Sequence, residues 1–331
     1  MRTLVLACLA VMLGPHASAA QSPVASAEVS IAGGASTENV EAAATQIRIF
    51  GEVAPDFRFF VEGAWASRSG NPSDAFGAAY PYDKRVRAIE VYGEKIFRRE
   101  TRLAGARAGR YRTPFGIYGR GDHAYSGFLR APLIRYDGDW ALSNNYLEGG
   151  INLFAGMPGL QVETSLGIPQ DVGTAVRRRG LDRVVRVQGY RGAFIAGLSY
   201  VRSNPYERRS FARGEAVFTG VDLRWMLAGT QLRGEWITGQ PFDGPTTTGW
   251  YVDALVHRPA LGPVTLVARA EDLDYEAGAF SRRMRRYTAG VRAQLSRAIV
   301  AHVNAIHEPT AARDRRTSVD VALTYVVRYP W

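Results

Sequence analysis

Cysteine is all but missing from this chain. The single one, Cys8, lies in an N-terminal apolar run that has the form of a leader, so the remainder has neither disulfides nor thiol chemistry. A metal site would have to be built from histidine and carboxylates. Histidine is scarce too, five in all, and neither a glycine-rich nucleotide loop nor a helix-borne metal motif is present. No cofactor is implied. Beyond the leader there is no run of about eighteen consecutive apolar residues, which excludes membrane-spanning helices. Of the 41 basic residues only Lys84 and Lys95 are lysines. The positive charge is therefore carried by arginine, which stays ionised at any relevant pH and grips carboxylate or phosphate through a planar fork.

At the N-terminus, Arg2 precedes an apolar run over residues 4–13, and Ala17, Ser18 and Ala19 form the small-residue pattern that a signal peptidase cuts. Residues 1–19 are thus expected to be a cleaved secretory signal and 20–331 a single domain. Val5, Leu6, Ala7 and Cys8 look like a lipoprotein cleavage box, but cleavage there would leave too short an apolar core for export. Removing Arg2 leaves 40 basic and 31 acidic residues, 40 − 31 = +9. In an exported protein such a surplus suggests acidic lipid headgroups or anionic solutes rather than nucleic acid; a codon bias toward arginine is the bland alternative. With 35 glycines, 16 tyrosines and 6 tryptophans the composition leans toward β-structure. The mean hydropathy of −0.15 does not choose between a soluble protein and a membrane barrel, whose strands put only every second residue into lipid.

The C-terminal residues alternate without a break. Val319, Val321, Leu323, Tyr325, Val327, Tyr329 and Trp331 are apolar or aromatic, and Asp320, Thr324 and Arg328 fall among the residues between them. A strand has a side-chain period of two, so this ribbon has one greasy and one mixed face, as a membrane β-strand or the half-buried edge of a soluble sandwich would. Further period-two segments bounded by turn residues are predicted over 26–34, 42–53, 57–67, 84–97, 102–112, 144–155, 160–168 and 181–190. The second half continues with 193–202, 213–227, 231–239, 248–258, 264–274, 283–295, 299–307 and 317–331. That makes sixteen strands, with fourteen or eighteen also compatible, joined by alternating short and long links. The expectation is an all-β, antiparallel transmembrane barrel with short turns at the periplasmic rim. Sixteen strands cannot fill their lumen with side chains and leave an aqueous channel.

One link stands out. Residues 113–143 form a stretch of 31 without clean alternation, the third long loop in the order. Here the architecture resembles the sixteen-stranded bacterial outer-membrane porins, which implies a third loop folded into the barrel to narrow it, and commonly a homotrimer. The strand end Arg110, Tyr111, Arg112, Thr113, Pro114, Phe115 and Gly116 is similar to that of the phosphate-selective porins of the O and P type. The near absence of lysine departs from that narrower family. The C-terminal strand resembles those whose closing aromatics are recognised by the barrel-assembly machinery, which implies that Tyr329 and Trp331 act as an assembly signal.

For a passive channel, the functional residues are those that set bore and field. The candidates on the loop are Arg120, Asp122, Arg130, Arg135, Asp137 and Asp139, with Arg112 at its start. Inward positions by alternation are Arg48, Arg58, Glu62, Arg224, Arg233, Arg269 and Arg292. Acidic loop residues opposite a basic wall would set a transverse field; pairing among these groups, or with lipopolysaccharide at the rim, is the alternative. Arg177 to Arg179, and Arg282, Arg283, Arg285 and Arg286, fall in or beside outer loops, either to hold lipopolysaccharide phosphates or simply solvated. His302 and Asn304 on one strand face, with Ser296 and Ser318 on neighbouring segments, leave open a barrel hydrolase similar to an outer-membrane phospholipase. The favoured expectation is an outer-membrane diffusion channel for small hydrophilic solutes, phosphate or other anions preferred. Its rivals are that hydrolase and a non-conducting structural or adhesive barrel.

Overall fold

The computed structural model describes residues 24–69, 84–117, 127–135, 147–170, 181–208, 211–241, 245–310 and 316–330. The first eight strands are β1 (Val24–Ser36), β2 (Val40–Ala54), β3 (Phe57–Ser69), β4 (Arg87–Arg99), β5 (Arg102–Arg112), β6 (Leu147–Met157), β7 (Leu160–Pro169) and β8 (Asp182–Arg191). The rest are β9 (Phe194–Arg208), β10 (Phe211–Leu227), β11 (Thr230–Gln240), β12 (Thr246–Val256), β13 (Val264–Ala277), β14 (Phe280–Gln294), β15 (Ile299–His307) and β16 (Thr317–Pro330). Each pairs antiparallel with its sequence neighbours, and β1 pairs with β16 from Ser26 opposite Pro330 to Ser36 opposite Asp320, closing a sixteen-stranded barrel. Closure leaves no free sheet edge.

The strands form where the alternation predicts them, to within a few residues. In β15, Val300, His302, Asn304 and Ile306 are buried while Ile299, Val303 and His307 are exposed. Around the barrel the exposed set is apolar: Ile31, Ile47, Leu153, Leu166, Leu198, Val221, Val252, Leu266, Val303 and Leu323. Phe97, Phe194, Trp225 and Tyr329 flank this belt toward the short-turn rim, and Tyr200, Trp236, Trp250 and Tyr287 toward the other. The opposite face carries most of the polar and charged side chains. A soluble barrel would be greasy inside and polar outside; this one is inverted, as a lipid-facing barrel requires.

The links at one rim are tight. At the β10–β11 turn Gly229 has φ +74°, and a Cβ there would sit 2.2 Å from the carbonyl oxygen of His257, so the turn demands glycine. A register shift opposite Glu62 and Gly63 leaves Ile89 as an extra residue in β4, a bulge that turns it onto the buried cluster with Ala64, Ala66 and Leu147. One connection differs from expectation. The link expected over 275–282 is mostly strand: β13 and β14 run on to Ala277 and Phe280 and meet in a hairpin. The charges are accommodated because Arg283 and Arg285 face outward onto Asp272, and Arg286 faces inward onto Glu271. Residues 1–19 of the expected signal, Arg177 to Arg179 and Trp331 lie outside the described residues.

Candidate pore lining and constriction

The inner wall is lined by arginine and carboxylate in cross-strand register. From β16 to β5 one row runs Arg328, Glu28, Arg48, Glu62, Arg112. Arg328 Nε donates to Glu28 at 2.8 Å, Arg48 bridges Glu28 at 3.4 Å and Glu62 at 3.3 Å, and Arg112 Nη2 reaches Glu62 at 3.0 Å. Arg58 lies 3.6 Å from Glu52, and Arg107 Nη2 lies 2.7 Å from Glu94. The expected inward residues Arg48, Arg58, Glu62 and Arg112 therefore share one side of the wall and are joined through carboxylates.

On the other side the pairs are deeper. Asp253, fully buried, accepts from Arg233 Nε at 2.9 Å and from Arg269 Nε at 2.6 Å. Arg224 stands opposite Arg233 in register, and the Gln188 amide, with its oxygen turned toward them, accepts from Arg224 at 2.7 Å and Arg186 at 2.9 Å. Arg292 donates to Gln294 at 3.3 Å and stands opposite His302. Bringing guanidinium and carboxylate together out of water is tolerable only because each is met by an opposite charge.

The described pieces of the β5–β6 connection, residues 113–117 and 127–135, bond to this inner face. Arg135, in a 3₁₀ turn over Leu133–Arg135, donates through Nε to Glu235 at 3.0 Å and through Nη2 to the Phe115 carbonyl at 2.9 Å. Arg130 Nε lies 2.8 Å from Asp320, and its Nη2 is 2.8 Å from Glu38 of the β1–β2 turn. The Leu133 amide donates to Glu271 at 2.6 Å, and Asn304 clasps the backbone through Leu129 N–H at 2.7 Å and the Gly127 carbonyl at 3.1 Å. Arg269 donates to the Arg130 carbonyl at 2.9 Å, and Arg286 donates to that of Ala131. Phe115, Leu133 and Ile134 pack on Val184, Val201, Phe218, Ile237, Tyr251 and Leu273. Gly116 (φ +61°) has to be glycine: a Cβ would stand 1.4 Å from Glu235 Oε1.

Arg120, Asp122, Asp137 and Asp139 lie outside the described residues. Tyr329 is exposed on the outer face of β16. His302 is inward as expected, but Ser318 Oγ accepts from Arg130 at 3.2 Å, and Ser296 Oγ accepts from the Ala298 and Ile299 amides at 3.2 and 3.1 Å. Both candidate nucleophiles are thus engaged elsewhere, and neither makes the hydroxyl–imidazole bond a Ser–His hydrolase uses.

Among solved structures, Salmonella typhi OmpF in complex with daunomycin aligns with TM-score 0.62 at 11% identity over 92% of this chain and 97% of its own. An anion-selective porin from Comamonas acidovorans aligns with TM-score 0.60 at 12% identity over 94% and 99%. This chain has the sixteen-stranded porin fold. The trimer form of OmpT, an outer membrane protein of Vibrio cholerae, aligns with TM-score 0.59 at 10% identity over 95% and 100%. No family model and no curated protein matches the chain. The fold is that of bacterial outer-membrane barrels, and identities this low carry the fold alone.

Sequence reasoning missed the carboxylates that meet the arginines: Glu28, Glu235, Asp253 and Glu271. The signal was present as inward parity, since each lies on the inward alternation of its own strand. What alternation along one strand does not supply is the register between strands.

Proposed function

We propose that the protein is an outer-membrane porin, a passive diffusion channel for small hydrophilic solutes with a modest preference for anions. The observation that carries this reading is the inversion of the barrel, a polar, charge-lined inner wall inside an apolar belt. A polar interior of sixteen strands is stable when water fills it. We further propose that the β5–β6 connection lies across the lumen and sets its bore, supported by its bonds to the inner faces of β11, β13, β14, β15 and β16. The anion preference rests on the formal surplus of basic charge and is modest because most of the inner-wall arginines described above face carboxylates, Arg224 and Arg292 meeting amide oxygens instead. Of the expected lining set, Arg48 and Arg58 would border the open side, the buried Arg112–Glu62 pair would fix the start of the loop, and Arg130, Arg135, Arg233 and Arg269 would hold the loop and its wall.

The short-turn rim is assigned to the periplasm. Arg283 and Arg285, exposed at the opposite rim, are assigned to lipopolysaccharide phosphates, and Tyr329 with Trp331 to the assembly machinery. A homotrimer is proposed through the outer face of β3 to β6, where Gly63, Gly93, Ala106 and Ala108 allow close approach of a flat neighbour; cross-linking in native membranes tests it. The function itself is tested in planar bilayers under a KCl gradient. Discrete open-channel current with a reversal potential on the anion side is the expected result. A folded protein that conducts nothing would instead favour a structural or adhesive barrel.

A further inference from the structure

The inner wall between β16 and β5 is banded in a way that passive diffusion does not require. The first ionic row alternates strand by strand in register, Arg328 opposite Glu28, Glu28 opposite Arg48, Arg48 opposite Glu62. Four residues further along each strand, toward the short-turn rim, a second row alternates likewise: Glu52 opposite Arg58, Arg58 opposite Glu94, Glu94 opposite Arg107. Between the two lies a row of rings, with Phe50 opposite Phe60 and Phe60 opposite Tyr92. The Phe60 and Tyr92 rings stack at 5.4 Å between centroids, Arg107 sits 4.5 Å from the Tyr92 centroid, and Arg58 lies 5.9 Å from that of Phe50.

Two properties of this band select a ligand class. First, Phe50 is 41% exposed in a wall whose flanking rows are ionic, whereas the inward residues of β11 to β16 that hold the loop are almost fully buried. An apolar ring left open in a wet wall invites an apolar surface to cover it. Second, the rows carry no net charge. The first has Arg328, Arg48 and Arg112 against Glu28, Glu62 and Glu90, 3 − 3 = 0, and the second Arg58 and Arg107 against Glu52 and Glu94, 2 − 2 = 0. A free anion meets as many carboxylates as guanidiniums there. A neutral solute with an apolar face and a rim of hydroxyls meets the opposite situation, because each hydroxyl both donates and accepts, and finds a fixed acceptor beside a fixed donor on either side of a ring.

We propose that this banded wall is a binding surface for a neutral polyhydroxylated ring, a monosaccharide or short oligosaccharide, with Phe50 as its apolar platform and Arg48, Glu28, Arg58 and Glu52 as the flanking donors and acceptors. The proposal rests on the channel reading for access of solute to the lumen, but its test is separable. Folded protein in detergent is titrated calorimetrically with glucose and with maltotriose, and with inorganic phosphate for comparison. In bilayers, maltotriose block is recorded as a fraction of each variant's own open-channel current. The expected result is saturable sugar binding in the millimolar range, a matching saturable block, and weaker binding of phosphate. Phe50→Ala is expected to weaken sugar binding about fivefold, while Phe50→Trp retains or tightens it. Absence of saturable binding of either sugar, tighter binding of phosphate, or equal affinity in wild type and Phe50→Ala overturns the proposal. Sugar binding without any KCl current would sink the channel reading and leave the site standing.

Discussion

At the scale of single residues, the lumen is held by carboxylates that each serve two masters. Asp253 is the clearest case, a buried acid accepting from Arg233 on β11 and Arg269 on β13, strands on either side of its own. Asp253→Asn keeps the shape but removes the charge, leaving two guanidiniums facing a neutral amide. Breaking a buried pair from one side costs about 3–5 kcal/mol, and two pairs share this acid. The variant is expected to unfold at distinctly lower urea concentration than the wild type in lipid vesicles, with the slope unchanged. An unshifted midpoint would mean that the arginines find solvent or new partners at no cost, and the wall would then be wet rather than packed at that height.

At the scale of elements, the β5–β6 connection and the closing strand make different demands. The connection is fastened by Arg130, Arg135, Asn304 and Glu271 at separate points, so removing residues 116–135 breaks all of those attachments together. Single-channel conductance is expected to rise severalfold, since conductance follows the narrowest cross-section; unchanged conductance would place the connection outside the current path. On β16, Leu323 is 57% exposed in the middle of the apolar belt. In a soluble protein Leu323→Arg would cost next to nothing, whereas at the midplane of a bilayer it is expected to cost about 2–4 kcal/mol, read as impaired refolding into vesicles. This strand was legible in the sequence because one face is greasy at every second position. β14 was legible from Arg283 on, but its first residues, Phe280 to Arg282, read as link until the register sets them beside Tyr275 to Ala277. The sequence between Val86 and Phe97 admits a bulge without fixing its position, since an extra residue shifts the faces without changing the residue types, and the register places it at Ile89. The candidate arginines were found by parity; the carboxylates that neutralise them depend on which strand position stands opposite, and that is a property of the closed sheet.

At the scale of the whole molecule, the charge surplus and the paired lumen pull in different directions, and salt concentration decides which is observed. Paired guanidiniums and carboxylates act on a passing ion as short dipoles, whose field dies within a few ångströms, while the uncompensated positive charge acts as a monopole whose reach is the Debye length. That length is about 3 Å at 1 M salt, about 10 Å at 0.1 M and about 30 Å at 0.01 M. At 1 M the surplus is screened before it crosses the bore, and chloride and potassium should permeate almost equally. At 0.01 M the surplus reaches across the lumen, chloride is concentrated there and potassium is excluded. Reversal potentials measured at a fixed tenfold KCl gradient are therefore expected to move steadily toward the chloride limit as the mean concentration falls. A selectivity that stays constant with dilution would mean that a local unpaired group, rather than the net charge, sets it. A shift toward potassium would mean that the half-buried carboxylates Glu28, Glu52 and Glu94 outweigh their arginine partners at the surface the ions see.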